Sequence, residues 1–278
     1  MNTSVVLVLV RKHLVEAKWM LGICATAFFA LAVLSTWLTL RFERLIDAST
    51  STSGPDFRRI GILRGLGGEA MDFSTTAIEV CWWNHPVIVL TVLAWAITRG
   101  SNSVAGEIER GTIDVTFSRP VSRAGYLLSQ IGFTVLGLLI LAGALILGLK
   151  VGALFFTLKS PPSFLTLLRP AAIVVTMGMA VYGYTLPLST IDVVRWRPSL
   201  VSCVVTLGGL VALSLARTFP DYQRLLQSVS VFQLYAPVTV ALKTDPLAYN
   251  ASVLSAVFLA GCAVSFALFS RRDLPSNS

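Results

Sequence analysis

Apolar residues along this chain gather into long runs instead of alternating, and six runs are long enough to cross a bilayer as helices. They extend from Trp19 to Leu40, Val80 to Thr98, Tyr126 to Leu149, Ala171 to Thr190, Ser199 to Ala216 and Ala251 to Ser270. A hydrocarbon core of about 30 Å takes roughly 20 residues of helix, and a helix satisfies its own backbone hydrogen bonds where no water can. The pattern predicts an all-α polytopic membrane protein: one transmembrane domain over residues 1–278, with six spanning helices. Composition agrees, since 55% of residues are hydrophobic, 13% are charged and the mean hydropathy is +0.75, outside the range of water-soluble domains.

The segments between the runs carry their own patterns. In the first eighteen residues Leu7, Val10 and Leu14, continued by Leu21, fall on one helical face, with Arg11, Lys12 and Lys18 placed to reach lipid phosphates. This predicts an N-terminal interfacial helix; a plain basic stop beside the first span is the alternative. Met1 to Ser4 carry no base, and Arg11-Lys12-His13 follow the short apolar run where a cleavable leader has its bases in front, so the first span is expected to be retained. Lys and Arg are denser on the side holding both termini, which predicts cytoplasmic ends. Ala48 to Gly54 reads as a linker, followed by an interfacial helix with Phe57, Ile60, Leu63 and Leu66 on one face. Between the last two spans, Pro220 and Pro237 punctuate a semi-apolar loop with Tyr222, Phe232 and Tyr235, which predicts two short outer helices.

Chemistry is sparse. Within the bounds given, no span contains Asp, Glu, Lys or Arg, the groups from which proton relays and ion-coupled carriers are built. The chain has only His13 and His85, and lacks metalloprotease and serine-hydrolase signatures, so no catalytic residue and no metal site is assigned. His85, beside Trp83 and Pro86, reads as an interfacial polar residue ending a span. Cys24, Cys81, Cys203 and Cys262 are scattered over four spans and read as small apolar side chains. The nearest approach to a phosphate loop, Gly143 to Lys150, puts Leu149 where lysine belongs and Lys150 where Ser or Thr should bind magnesium. No cofactor is expected in this chain, no nucleic acid is expected as a partner, and nucleotide-driven work has to come from another polypeptide.

One charged island stands out between the second and third runs, in the loop 99–125. Glu107, Glu109, Arg110, Gly111, Thr112 and Asp114 lead to Ser118-Arg119-Pro120-Val121-Ser122-Arg123. Ser101, Asn102 or Ser103 can cap a helix whose first turns hold Glu107 and Glu109, where carboxylates favour the positive end of the helix dipole. Gly111-Thr112 then bends it and Pro120 stops it. A short helix parallel to the membrane, presenting charge to the cytosol, is the form of a docking element for a soluble motor; an ordinary capped loop with solvated charges is the alternative. In the second inner loop, Asp192, Arg195 and Arg197 could touch the same motor; the favoured reading is that Arg195 and Arg197 mark the cytoplasmic side beside an interfacial Trp196.

The run from Gly106 to Thr112, then Ser118 to Arg123 with Leu127-Leu128, placed after the second of six spans, resembles the type 2 ATP-binding-cassette permeases. These are membrane subunits of bacterial exporters and related machines, including a branch that serves copper-enzyme maturation. The resemblance covers the whole chain in topology, but its specific motif only about 25 residues. It implies a multi-pass subunit of the bacterial inner membrane, homodimeric, paired with two copies of a separate ATPase that binds ATP and Mg. It also implies that Glu107, Gly111 and Thr112 belong to the coupling helix, and that Pro120 and Arg123 belong to the turn into the third span. Many relatives carry lysine at the position of Gln130, so no charge role is carried over there. In that family the second and fifth spans line the translocation path, which nominates Asn84, Trp95, Ser202 and Thr206. Small residues at four-residue spacing let helices approach closely in lipid, and Gly208, Ala212 and Ala216 are candidates for the dimer seam. A non-transporting force-transmitting or metal-cofactor-maturation platform of the same assembly, and a membrane-embedded lipid-modifying enzyme, are the other readings.

Overall fold

The structure, a computed structural model, describes residues 3–51, 79–118, 121–158, 161–219, 222, 230–242 and 246–272. Its six long helices are α1 (Thr3–Ser51), α2 (Pro86–Ser101), α3 (Arg123–Phe155), α4 (Phe164–Ile191), α5 (Trp196–Thr218) and α6 (Leu247–Arg271). Each is long and apolar enough to cross a membrane, and the chain is an all-α multi-pass membrane protein. The expected interfacial helix at Phe57 to Leu66 lies outside the described residues. Between α5 and α6, where two short helices are expected, the described residues hold a 3₁₀ turn at Val231–Leu234 and a five-residue helix at Pro237–Ala241.

The N-terminus departs from expectation. Instead of a separate helix lying on the membrane, α1 is continuous over 49 residues, about 74 Å at 1.5 Å per residue, and it absorbs Ala48 to Ser51 of the predicted linker. No proline and only one glycine, Gly22, interrupts this stretch. Its buried positions Leu9, His13, Ala17 and Leu21 recur every fourth residue, so protein, not lipid, covers that face. The cover is α3, which runs parallel to α1: His13 faces Phe133 with ring centroids 6.0 Å apart, and further along Phe29 and Ala32 lie against Gly148 and Thr36 against Gly152.

Helix α4 is the hub, packed against α2, α3 and α6. At its crossing with α6 two glycines meet: a Cβ on Gly261 would fall 1.9 Å from the Gly183 carbonyl oxygen, and one on Gly183 would fall 2.6 Å from the Phe258 Cα. Backbones touch there because neither residue carries a side chain, the form of close packing available to helices that gain no hydrophobic drive from lipid. At the entry to α2, His85 is the N-cap: its Nδ1 accepts from the Val87 N–H at 3.3 Å, and Pro86 fills the first helical position. This agrees with its reading as a polar residue ending a span.

One buried carboxyl lies at the same end as His85. Glu79 has no exposed surface; among the described residues neither oxygen is in a well-formed hydrogen bond, and the Thr36 hydroxyl is the side-chain donor that faces it. Burial pushes its pKa up to about 7, more than the nearby Lys150 ammonium pulls it down. The protonated form is therefore the one that the fold favours, and the unfolded chain holds fewer protons between pH 4.5 and 7. Stability from this group is fully present below the unfolded value and is lost as pH rises through about 7, on the order of 3 kcal/mol at 1.36 kcal/mol per unit. Thermal unfolding in detergent should show a lower midpoint at pH 8 than at pH 5, and Glu79→Gln should remove most of that difference. A wild-type midpoint that rises over this interval would contradict the burial of this carboxyl.

Candidate functional site

The end of the bundle that carries the N-terminus of α1 also collects residues 102–118 and the turn between α4 and α5. Helix α2 passes without a break into a π-helical turn, Asn102–Gly106, a form associated with functional sites. Neighbouring side chains take up the backbone groups that this winding releases. Ser189 Oγ accepts from the N–H groups of Val104 and Ala105 at 3.2 and 3.0 Å and donates to the Ser101 carbonyl at 2.9 Å. Tyr126 donates its hydroxyl to the Ser103 carbonyl at 2.6 Å, and Gln130 donates to the Tyr126 oxygen at 3.0 Å. All three side chains, Ser189, Tyr126 and Gln130, are buried, so α3 and α4 together hold the turn.

Beyond it come the three-residue helix Glu107–Glu109, a reversal at Gly111, and the short helix Thr112–Phe117. Gly111 has φ +67 and ψ 9, the left-handed conformation that β-carbon sterics disfavour. The reversal returns Thr112 to Glu107, whose carboxylate accepts from Arg110 at 2.7 Å on one oxygen and from the Thr112 hydroxyl at 2.5 Å on the other. Glu107 is therefore buried, and its charge points into the loop, not outward as a free docking group. Ile113 and Thr116 seat the short helix on the bundle, and Phe117 tilts against Tyr126 and Phe269 at 5.6 and 6.2 Å. The opposite face is open: Glu109, Arg110, Asp114 and Val115 are exposed.

Two further ties frame this platform. Glu109 accepts from the Arg195 backbone N–H at 2.9 Å, joining the first loop to the turn after α4. Arg123 donates to the carbonyls of Phe269, Ser270 and Arg272 at 3.1, 3.2 and 2.6 Å, and so caps α6. Arg272 in turn caps α4 through the carbonyls of Thr190 and Asp192. Helix C-termini present unsatisfied carbonyls and partial negative charge, which arginine matches on both counts. The role of Arg123 is thus to fasten the last helix, a contact that its place in the sequence does not reveal. Pro120 lies outside the described residues.

The proposed path residues do not come together within one chain. Asn84 sits in the 3₁₀ turn Trp82–Asn84 at the far end. Trp95 is buried between α2 and α3, its indole pressed on Gly137 and 5.9 Å from the Phe133 ring. Ser202 and Thr206 face inward, and the Thr206 hydroxyl is hydrogen-bonded to that of Tyr184 on α4. The small-residue stripe on α5 does not form one seam either, since Gly208 is exposed and Ala216 is buried at 2%. Four residues make 400° of α-helix, so each step drifts by about 40° and the ends of the stripe point about 80° apart.

A polar knot beneath the platform has no counterpart among the residues singled out from the sequence. The Arg99 guanidinium lies 4.4 Å from the Phe133 ring and donates to Gln130 Oε1 at 3.3 Å. Among the described residues no acceptor reaches Arg99 Nε, Trp95 Nε1 or His13 Nε2, although all three side chains contact or face Phe133. Arg99 falls one residue past the predicted span end at Thr98, and that adjacency was the available signal. The cysteines are free, and no cluster of potential metal ligands occurs among the described residues.

No family model matches the sequence, and no curated protein matches it.

Proposed function

We propose that the chain is the membrane-spanning permease subunit of an ATP-binding-cassette transporter, driven by a separate ATPase that supplies the ATP and Mg sites. The observation that carries this reading is the platform 107–118: a braced turn of helix that leaves one charged face free at an end of the bundle. Glu107 and Gly111 shape it, and Glu109, Arg110, Asp114 and Val115 are the groups turned outward. Val115 is 65% exposed, and Ile191, Val193 and Trp196 in the neighbouring turn are exposed as well. Apolar side chains gathered among charges are a usual mark of a protein contact. On this reading two copies of the chain pair with two copies of the ATPase in a bacterial inner membrane, with both termini and the platform cytoplasmic.

The reading expects a stand-alone ATPase to be encoded beside this chain, and the test is reconstitution with that subunit. The permease alone should hydrolyse no ATP and should bind and stimulate its partner. Val115→Glu combined with Asp114→Arg should weaken that binding by about tenfold or more, the effect of roughly 1.4 kcal/mol, and should leave thermal stability unchanged because both side chains are exposed. A cysteine at Asp114 should react with an impermeant thiol reagent only after the cytoplasmic side is opened. Reaction in intact cells, or full binding by the double variant, would remove the docking assignment.

A further inference from the structure

Along the outer side of α1 the structure has a groove of about 410 Å³, walled by Leu14, Leu21 and Gly22 of α1 and by Ile140 of α3, with Arg11 and Lys18 lining it as well. It shares Lys18 and Gly22 with a more open trough of about 700 Å³ that follows α1 to Ala30. We infer that this groove is a binding site for one anionic phospholipid, its phosphate held by Arg11 and Lys18 and one acyl chain laid along α1 over Gly22.

Depth is the first argument. On α1 the apolar stretch between Lys18 and Arg41 holds 22 residues, about 33 Å at 1.5 Å per residue, which matches a hydrocarbon core of about 30 Å crossed with some tilt. Lys18 therefore marks the boundary, and Trp19, 74% exposed beside it with the Lys18 ammonium 5.7 Å from its ring, is the aromatic residue expected at headgroup level. From Lys18 to Ala30 the trough descends 12 residues, about 18 Å, which is close to one leaflet.

Charge is the second. Arg11 and Lys18 stand seven residues apart on one face of α1, and among the described residues neither has a carboxylate within 4 Å; the acid on this part of the helix, Glu16, contacts Lys12 at 3.6 Å and His13 at 3.5 Å. Two unneutralised cations at the mouth of an apolar trough select an anionic headgroup. They also disfavour a second copy of α1 in the groove, since that would set like charges face to face. The groove also has room. Among the described residues, a Cβ placed on Gly22 meets nothing within 4 Å, so the floor of the groove is open where the chain would lie.

The experiment uses the full chain in nanodiscs made from equimolar phosphatidylglycerol and phosphatidylcholine, followed by gentle extraction and native mass spectrometry of the retained lipid. Wild type should keep phosphatidylglycerol in preference by roughly tenfold, from two basic side chains. Arg11→Gln with Lys18→Gln should keep both lipids equally. Gly22→Leu should keep neither, at an unchanged thermal midpoint. The inference is overturned if wild type shows no preference, if the double variant keeps it, or if Gly22→Leu holds lipid as well as wild type. It is equally overturned if a photoreactive residue at Thr26 cross-links to protein instead of lipid, whether this chain or another copy. None of these readouts depends on an ATPase, so they stand or fall apart from the transporter reading.

Discussion

Leucine in place of Gly261 is expected to leave little folded protein. The glycine lies where α6 meets α4 backbone to backbone, and even a single methyl would sit 1.9 Å from the Gly183 carbonyl oxygen. A clash with a flexible side chain can be relieved by a change of rotamer; a clash with a main chain separates two helices along their length. Overpacking a core commonly costs about 1–3 kcal/mol, and a backbone clash at the hub helix belongs above that, at about 4 kcal/mol or more. The separation would also draw Phe258 from Tyr182, now 6.4 Å apart, and pull the α6 terminus from Arg123. Size-exclusion profiles and thermal midpoints measure this, with Gly208→Leu as the control because, among the described residues, nothing lies within 4 Å of a Cβ placed there. If Gly261→Leu matched that control, α4 and α6 could not cross at this point.

Glu107→Ala should loosen the platform while leaving the bundle intact. The carboxylate holds Arg110 and Thr112 from opposite sides of the Gly111 reversal, and among the described residues no side chain caps the helix that begins at Thr112. Hydrogen bonds to a charged group contribute about 1.5–3 kcal/mol each, so amides between Glu107 and Phe117 should exchange with solvent at least about tenfold faster. Amides of α1 and α3 should not change. Glu107→Gln, which can still accept from Thr112, should fall between the two. Equal exchange in wild type and Glu107→Ala would mean that the reversal is held by packing of Ile113 and Phe117 alone. On the transporter reading, the same variant should also lose stimulation of the ATPase, through disorder of the loop and not through a missing surface charge.

The six spans were legible because a run of about 20 apolar residues has few alternatives in water. The length of α1 was not, because what keeps Thr3 to Lys18 helical and upright is a partner far along the chain: Phe133 and its neighbours on α3 cover the stripe at Leu9, His13 and Ala17. The same limit hid Gly183 and Gly261, each unremarkable in its own run and decisive only as a pair. The charged island could be recognised, but the direction of its charges could not. A left-handed Gly111 turns Thr112 back on Glu107, so a carboxylate that reads as surface becomes an internal brace. Arg123 reads as a loop cation and acts on the far end of the chain, where the α6 carbonyls need a donor.

The π-helical turn at Asn102–Gly106 has a consequence for phase. A surplus residue wound into a helix leaves everything after it rotated by about 100° relative to an unbroken α-helix. Deleting one residue here, Ala105 for example, would shorten the turn by little more than an ångström, yet it would rotate the following residues through slightly more than a right angle. Glu107 would swing away from Thr112, and Glu109 away from Arg195. The orientation of the platform thus rests on a count of residues as much as on their identities, and an insertion or deletion of one would rotate it in a way that no single substitution reproduces.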